Sequence, residues 1–212
     1  MMNVHICRTW EDSTAAREAM RKAQADWYAV SAAPLFYAGY NNATFDCPVV
    51  ETHQRKDRLP LFGMDIRPYN SRNVVDVFAA LTFHDNAGQQ VLRRTLTDLA
   101  TYFGIETPAD DIKGEDVAGY IAAGDYDTVA RHCAEDVRMT AELYRLVNRA
   151  QPALVFDVET VALDGLDLTR IKTDSRLTDP VKVAADLKAK AGKAALDPFG
   201  CRIAVLCWEI LT

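Results

Sequence analysis

The sequence predicts an α/β fold: a single domain over residues 1–212, with a central sheet flanked by helices. Three observations predict it. Short runs of branched and aromatic residues at Leu35–Ala38, Ala153–Phe156 and Arg202–Ile210 have the length and composition of buried strands. Longer segments between them repeat their apolar residues at helical spacing, most clearly over Tyr126–Asn148. The composition, 49% hydrophobic and 25% charged over 212 residues, suffices for one real core and is short for two.

The elements follow in order. Val4–Cys7 is a short strand. Asp12-Ser13 offers an N-cap for a helix to about Val30, with Ala16, Met20, Ala23 and Trp27 on its core face. Pro34 ends that pattern, and a buried strand follows, then a turn at Gly39-Tyr40-Asn41-Asn42. A helix starts near Phe45-Asp46 with Pro48 in its first turn, and His53–Arg58 continue it as a polar face. Leu61–Tyr69 has no clear period. Asn73–Val77 reads as a strand end or a helix start. Leu92–Phe103 is a helix closed by Gly104, and Lys113-Gly114 precedes another over Glu115–Ala123. In the long helix, Val129, Cys133, Val137, Thr140, Leu143 and Leu146 point inward. Beyond the strand at Ala153, Val161–Thr178 is irregular. Asp179 caps a helix to about Lys193, Asp197–Gly200 is a turn, and Arg202–Ile210 is the last strand.

A net charge of −6 disfavours a broad electrostatic grip on nucleic acid. It is compatible with an enzyme that holds a few nucleotides and brings its own cations, since metals offset clustered acids. Five cysteines (Cys7, Cys47, Cys133, Cys201 and Cys207) without C-x-x-C spacing argue against zinc and against a disulfide framework, and fit a reducing cytoplasm. Met1–His5 lacks the look of a signal peptide, and no apolar run is long enough to span a membrane. A cytoplasmic, membrane-free protein is expected.

The acids carry the chemistry. Asp157 and Glu159 follow the apolar strand at Ala153–Phe156, and strand alternation points both to one face. Two acids at a buried strand end are costly without cations, and Mg²⁺ or Mn²⁺ would remove that cost through oxygen ligands. Taken singly, one of them caps the next element and the other is solvated. Asp46 alone is a first-turn acid favoured by the helix dipole. His132 and Asp136 lie one helical turn apart on one face, a spacing that also suits an ordinary surface contact.

Read jointly, these residues resemble a family. Gly39-Tyr40-Asn41-Asn42-Ala43-Thr44-Phe45-Asp46-Cys47-Pro48 resembles the second motif, G-[HY]-N-x-x-x-F-D-x-P, of the DEDD-type 3′–5′ exonucleases related to the exonuclease domain of DNA polymerase B. His132-Cys133-Ala134-Glu135-Asp136-Val137 with Thr140 is similar to the third, Y-C-x-x-D-V-x-x-T, and Val155–Thr160 to the first. The stretch from Asp179 to Ile203 resembles an insert that some members carry between their first two strands. The resemblance covers nearly everything after Leu35. It implies a ribonuclease H-like mixed sheet. Two Mg²⁺ or Mn²⁺ ions would be held by Asp157, Glu159, Asp46 and Asp136. The reaction would be hydrolysis of the 3′-terminal phosphodiester of single-stranded DNA to release nucleoside monophosphates. Asn41, Phe45 and Thr160 would touch the terminal nucleotide, although Phe45 equally suits packing the helix onto the sheet. A weakened nucleic-acid-binding module and an RNA-trimming enzyme are the competing readings.

Two departures qualify the match. His132 occupies the slot of the family's tyrosine, one residue from where the histidine branch places its base; Arg131 stands at that second position. His132 would orient or activate water there, or merely fill the slot. The motif order is also rotated to second, third, first: residues 1–150 hold two motifs, and 151–212 hold the first motif, the basic insert and the final strand. This resembles a circular permutation in which Arg202–Ile210 pairs with Val4–Cys7. From Asp136 to Arg149 a helix runs roughly 20 Å away. Ala153–Asp157 returns roughly 13 Å, so one chain would close its own site as a monomer; a swapped dimer is the alternative. Lys182, Lys188, Lys190 and Lys193 form a basic face that guides a phosphate backbone or is simply solvated.

Overall fold

Five strands and the helices between them form three layers. The computed structural model describes residues 1–65, 72–81, 95–109, 112–147, 151–163, 179–184, 186 and 201–212. In chain order the elements are β1 (Asn3–Ile6), α1 (Trp10–Val30), β2 (Phe36–Gly39), α2 (Asp46–Lys56), β3 (Val74–Asp76), α3 (Val77–Leu81), α4 (Leu96–Tyr102), a 3₁₀ turn (Gly114–Asp116), α5 (Val117–Ala122), α6 (Tyr126–Val147), β4 (Ala153–Ala162) and β5 (Cys201–Leu211). The sheet order is β1-β5-β4-β2-β3. β1 and β4 each pair antiparallel with β5, whereas β2 runs parallel to both β4 and β3. The expected pairing of the last strand with the first is present, as Val4 opposite Cys207 and Ile6 opposite Val205.

Alternation along the strands divides the core in two. Val129, Cys133, Val137 and Leu143 of α6 pack with Ala38, Val155, Val205 and Cys207 on one face. Ala16 and Met20 of α1 pack with Tyr37, Leu154, Phe156 and Leu206 on the other. β5 changes parity within its length. Glu159 pairs with Val205 and Thr160 with Ile203, so Ala204 is the extra residue of a bulge, and its carbonyl accepts the Cys7 N–H at 2.7 Å. At the other end of α6, the Tyr144 hydroxyl donates to the Gln151 carbonyl at 3.2 Å, which helps fold the chain back into β4.

Several boundaries differ from those read in the sequence. Thr9 is the N-cap of α1, and Asp12 is its capping-box partner three residues on. The cap reading failed because both residue types suit either role. Residues 53–58 are a polar face only in part: Arg55, Lys56 and Arg58 are exposed, but His53 and Gln54 are buried where α1 covers α2, with the Trp10 ring tilted 4.8 Å from His53. Leu146 is 41% exposed, because α6 runs past the edge of its core there. Asn73–Val77 is both a strand end and a helix start. Asp179 begins a helical turn as expected, its Oδ1 accepting the Val181 N–H at 2.9 Å. The remaining course to Lys193, the turn at Asp197–Gly200, the start of the helix at Leu92 and the segment beyond Leu163 to Thr178 fall outside the described residues. No described helix is long and apolar enough to cross a membrane. All five cysteines are free and buried.

Candidate active site

The acids gather where the parallel strands end. β4 pairs with β2 only as far as Val155 opposite Ala38. Beyond that point β2 turns away through Tyr40–Phe45, and β4 continues beside β5 alone. Asp157 and Glu159 lie on this continuation, two residues apart and facing α6. Asp46 is the first residue of α2, entered from the loop that leaves β2, and is buried. Asp136 and His132 lie one turn apart on α6. Open α/β sheets commonly bind ligands in such a crevice at the carboxyl ends of their strands.

His132 is the hub. Its Nε2 lies 3.6 Å from Glu159 Oε1 and 3.8 Å from Asp136 Oδ2, with the imidazole only 11% exposed. The Cys133 thiol, next along the helix, donates to the Asp157 main-chain oxygen at 3.5 Å and ties α6 to β4. Burial, then the charges of Asp157, Asp76 and Asp136, push the Asp46 carboxyl well above the ordinary carboxylate range. Burial, then Asp157, Asp136 and Asp46, do the same for Glu159. Burial also raises Asp157, with the Cys133 thiol and His132 offsetting part of the effect. The acids therefore sense one another as a single cluster. One oxygen, Asp157 Oδ2, is buried with no hydrogen-bond partner among the described residues.

Of the residues expected to touch substrate, Asn41 and Phe45 lie in the loop that delivers Asp46. Asn41 is exposed in a left-handed conformation (φ 58°), and its Oδ1 accepts the Thr44 hydroxyl at 3.0 Å. Phe45 is partly buried against the α1-side core. Thr160 is buried, and alternation places it on the face of β4 opposite Asp157 and Glu159. The structure thus brings Asp46, His132, Asp136, Asp157 and Glu159 together and leaves Thr160 behind the sheet. Of the four insert lysines, only Lys182 falls among the described residues.

Two features were not legible in the sequence. A cavity of about 460 Å³ opens against His132, with Pro108, Ile112, Thr128, Arg131, Glu135 and Arg138 among its lining. Arg138 closes one wall by donating to Glu135 Oε2 at 2.8 Å and to the Glu106 carbonyl at 2.6 Å. Asp76, at the end of β3, adds its charge to the field at Asp46. Its place in the stretch between the second and third motifs was legible in the sequence, but its charge at Asp46 was not.

The donor chemistry suits a hard divalent cation: every acid offers oxygen atoms, like charges raise Asp46 and Glu159, and Asp157 Oδ2 has no hydrogen-bond partner among the described residues. Among the described residues, no three His, Cys, Asp or Glu side chains already form a cage for one ion.

A mixed five-stranded α/β fold with carboxylates clustered at its strand ends defines the class of protein. A family model described as the RNase_H superfamily matches residues 4–148, about two-thirds of the chain, and the chain belongs to that superfamily. The matched segment contains Asp46, His132 and Asp136; Asp157 and Glu159 lie just beyond it. No curated protein and no solved structure matches the chain.

Proposed function

We propose that this protein is a metal-dependent 3′–5′ exonuclease acting on single-stranded DNA. One observation carries the reading: four carboxylates from α2, α6 and β4 converge at the strand ends of an RNase H-superfamily fold, with Asp46 and Glu159 raised by burial and by the charges of the others. Binding phosphate gains nothing from such clustered negative charge, whereas a site that recruits cations needs it. Asp157, Glu159, Asp46 and Asp136 would hold Mg²⁺ or Mn²⁺. When bound, the ions supply charge to stabilise the in-line displacement at phosphorus and acidify water.

The chain's own groups do the rest. His132, facing Glu159 and Asp136, takes a proton from water at Nε2. The cavity beside it is large enough for a nucleotide. Pro108 and Ile112 would cover a base face, and Arg131 would meet a phosphate. Asn41 and Phe45 would flank the terminal sugar from the loop. The product is a nucleoside 5′-monophosphate.

The rotated motif order is read as a circular permutation. Supporting it, the strand carrying Asp157 lies at the centre of the sheet, with β2 on one side and β5, paired to β1, on the other. Joining Thr212 to Met1 by a short linker and opening the chain at 149–152 restores the usual order; activity retained after that rearrangement is the expected result. One chain can close the cluster by itself, and we read the protein as a monomer. A dimeric mass by light scattering together with loss of activity on dilution would instead establish a swap.

The deciding assay incubates end-labelled single-stranded DNA and RNA with EDTA, Mg²⁺ or Mn²⁺, comparing wild type with Asp46→Ala. Stepwise 3′ shortening of DNA that requires metal and Asp46 is expected. Shortening of RNA alone reassigns the substrate, and absence of any metal-dependent product makes the protein a binding module. His132→Ala is expected to lower the rate at saturating metal, while His132→Tyr restores activity.

A further inference from the structure

Asp76 closes β3 opposite Gly39 of β2, and its carboxylate makes two different attachments. Oδ1 accepts the Ala79 N–H at 3.2 Å, which caps α3. The same oxygen accepts the Asn41 N–H at 3.0 Å. A helix cap needs only the first bond. The second reaches into the loop that carries Asn41 and ends at Asp46.

That loop has little slack. Asn41 is held left-handed, its main-chain oxygen accepts the Thr44 hydroxyl at 3.2 Å, and the Asn42 carbonyl accepts the Cys47 N–H at 3.0 Å. The Asn42 side chain is fully buried against Gly39, where an added β-carbon would come within 2.5 Å of it. α2 has no side-chain N-cap of its own: Phe45 stands at that position. The place of Asp46 is therefore set by the loop, and Asp76 anchors the loop from the neighbouring strand. The charge of Asp76 also reaches Asp46, after that of Asp157 and ahead of that of Asp136.

We propose that Asp76 is a positioning residue for the acidic site: by accepting from Asn41 it holds the 39–45 loop, and through the loop it sets Asp46 relative to Asp157. The inference rests on the metal-dependent reading above. Residues that orient metal-binding groups without touching the metal change affinity on the order of 10–100-fold when lost.

The test measures Mn²⁺ binding calorimetrically on the full chain without nucleic acid, together with hydrogen exchange at the Asn41 amide. Asp76→Ser keeps a capping oxygen for α3 on a shorter side chain; it is expected to expose the Asn41 amide and weaken Mn²⁺ binding about tenfold or more. Asp76→Asn keeps the acceptor and drops the charge; it is expected to restore amide protection and most of the affinity. Thr95→Ala removes the corresponding cap of α4 and should lower the thermal midpoint with Mn²⁺ affinity unchanged. Wild-type affinity in Asp76→Ser, or an Asp76→Asn as weak as Asp76→Ser, overturns the positioning role. A wild-type protein that binds no Mn²⁺ overturns the metal reading itself, and the role of Asp76 with it.

Discussion

Two of the places where the protein buries charge treat it in opposite ways. Between α1 and α2, Arg17 is fully buried and ion-paired to Asp57. Its Nη1 also donates to Gln54 Oε1 at 2.8 Å and its Nε to the Ser13 carbonyl at 3.2 Å. Asp57 accepts in addition from Trp10 Nε1 at 2.7 Å and the Thr14 hydroxyl at 2.8 Å. Lys56 lies over the Trp10 ring, 3.5 Å from its centroid. Burial alone would raise the Asp57 carboxyl, but these hydrogen bonds and the Arg17 charge hold it below its ordinary value. Across the sheet, Asp46, Asp157 and Glu159 are buried among like charges, raised, and without an arginine or lysine partner among the described residues. The first arrangement is complete in itself and locks two helices together. The second is incomplete by the same accounting, and an incomplete buried cluster points to a ligand of opposite charge.

The contrast can be broken in order of expected effect. Asp157→Ala should reduce cleavage to background while the metal-free protein stays folded, as judged by circular dichroism and a nuclease assay on one preparation. Retained metal-dependent activity would remove the cluster from the mechanism. Arg17→Met leaves Asp57 without its cation and should cost about 3–5 kcal/mol of unfolding free energy in urea. Its specific activity per folded molecule should be unchanged; a lost metal requirement would mean that the two regions are not separate. Saturating wild type with Mn²⁺ at a hundred times its dissociation constant should add about 2.7 kcal/mol of stability, and Asp157→Ala should abolish that gain.

Acidity separates the two regions by sign. Asp46, Asp157 and Glu159 bind protons more tightly folded than unfolded, so in EDTA their support of the folded state is full below the ordinary carboxyl range. It is lost as pH rises through their raised values. Asp57 does the reverse: its contribution is full above the ordinary value of 3.8 and is lost as pH falls through its lowered value. Metal-free protein should therefore gain stability on acidification from neutrality, by at most about 1.4 kcal/mol per pH unit for each raised group, and lose it again in stronger acid. Saturating metal should flatten the first limb only. The smallest effect expected is that of Thr9→Ala, which removes the capping box of α1 and should cost about 1 kcal/mol with no change in metal affinity.

Much of this was readable one element at a time. The helical period of α6, the apolar runs of β2, β4 and β5, and the Phe45-Asp46 start of α2 are local patterns, and they appeared where expected. Local ambiguity explains the misplacements: Thr9 and Asp12 both suit a cap, and the polar types of His53 and Gln54 suggest solvent until α1 is seen to cover them. The acids were found because each stands in a recognisable stretch. Asp76 stands in the stretch between the second and third motifs, but no site role was legible for it because its partner, Asn41, is 35 residues away.

By itself, the sequence determined the α/β class, the strands and helices, and the four carboxylates with His132, because strand alternation, helical period and residue chemistry are properties of neighbours in the chain. Only the tertiary structure decided that His132 stands between Glu159 and Asp136, that Thr160 turns to the far side of the sheet, and that Arg17 meets Asp57 while Asp157 has no arginine or lysine partner among the described residues. Those outcomes depend on which faces are packed together and on how burial reprices each charge. Both are set by groups distant in sequence, and neither is written in any single segment.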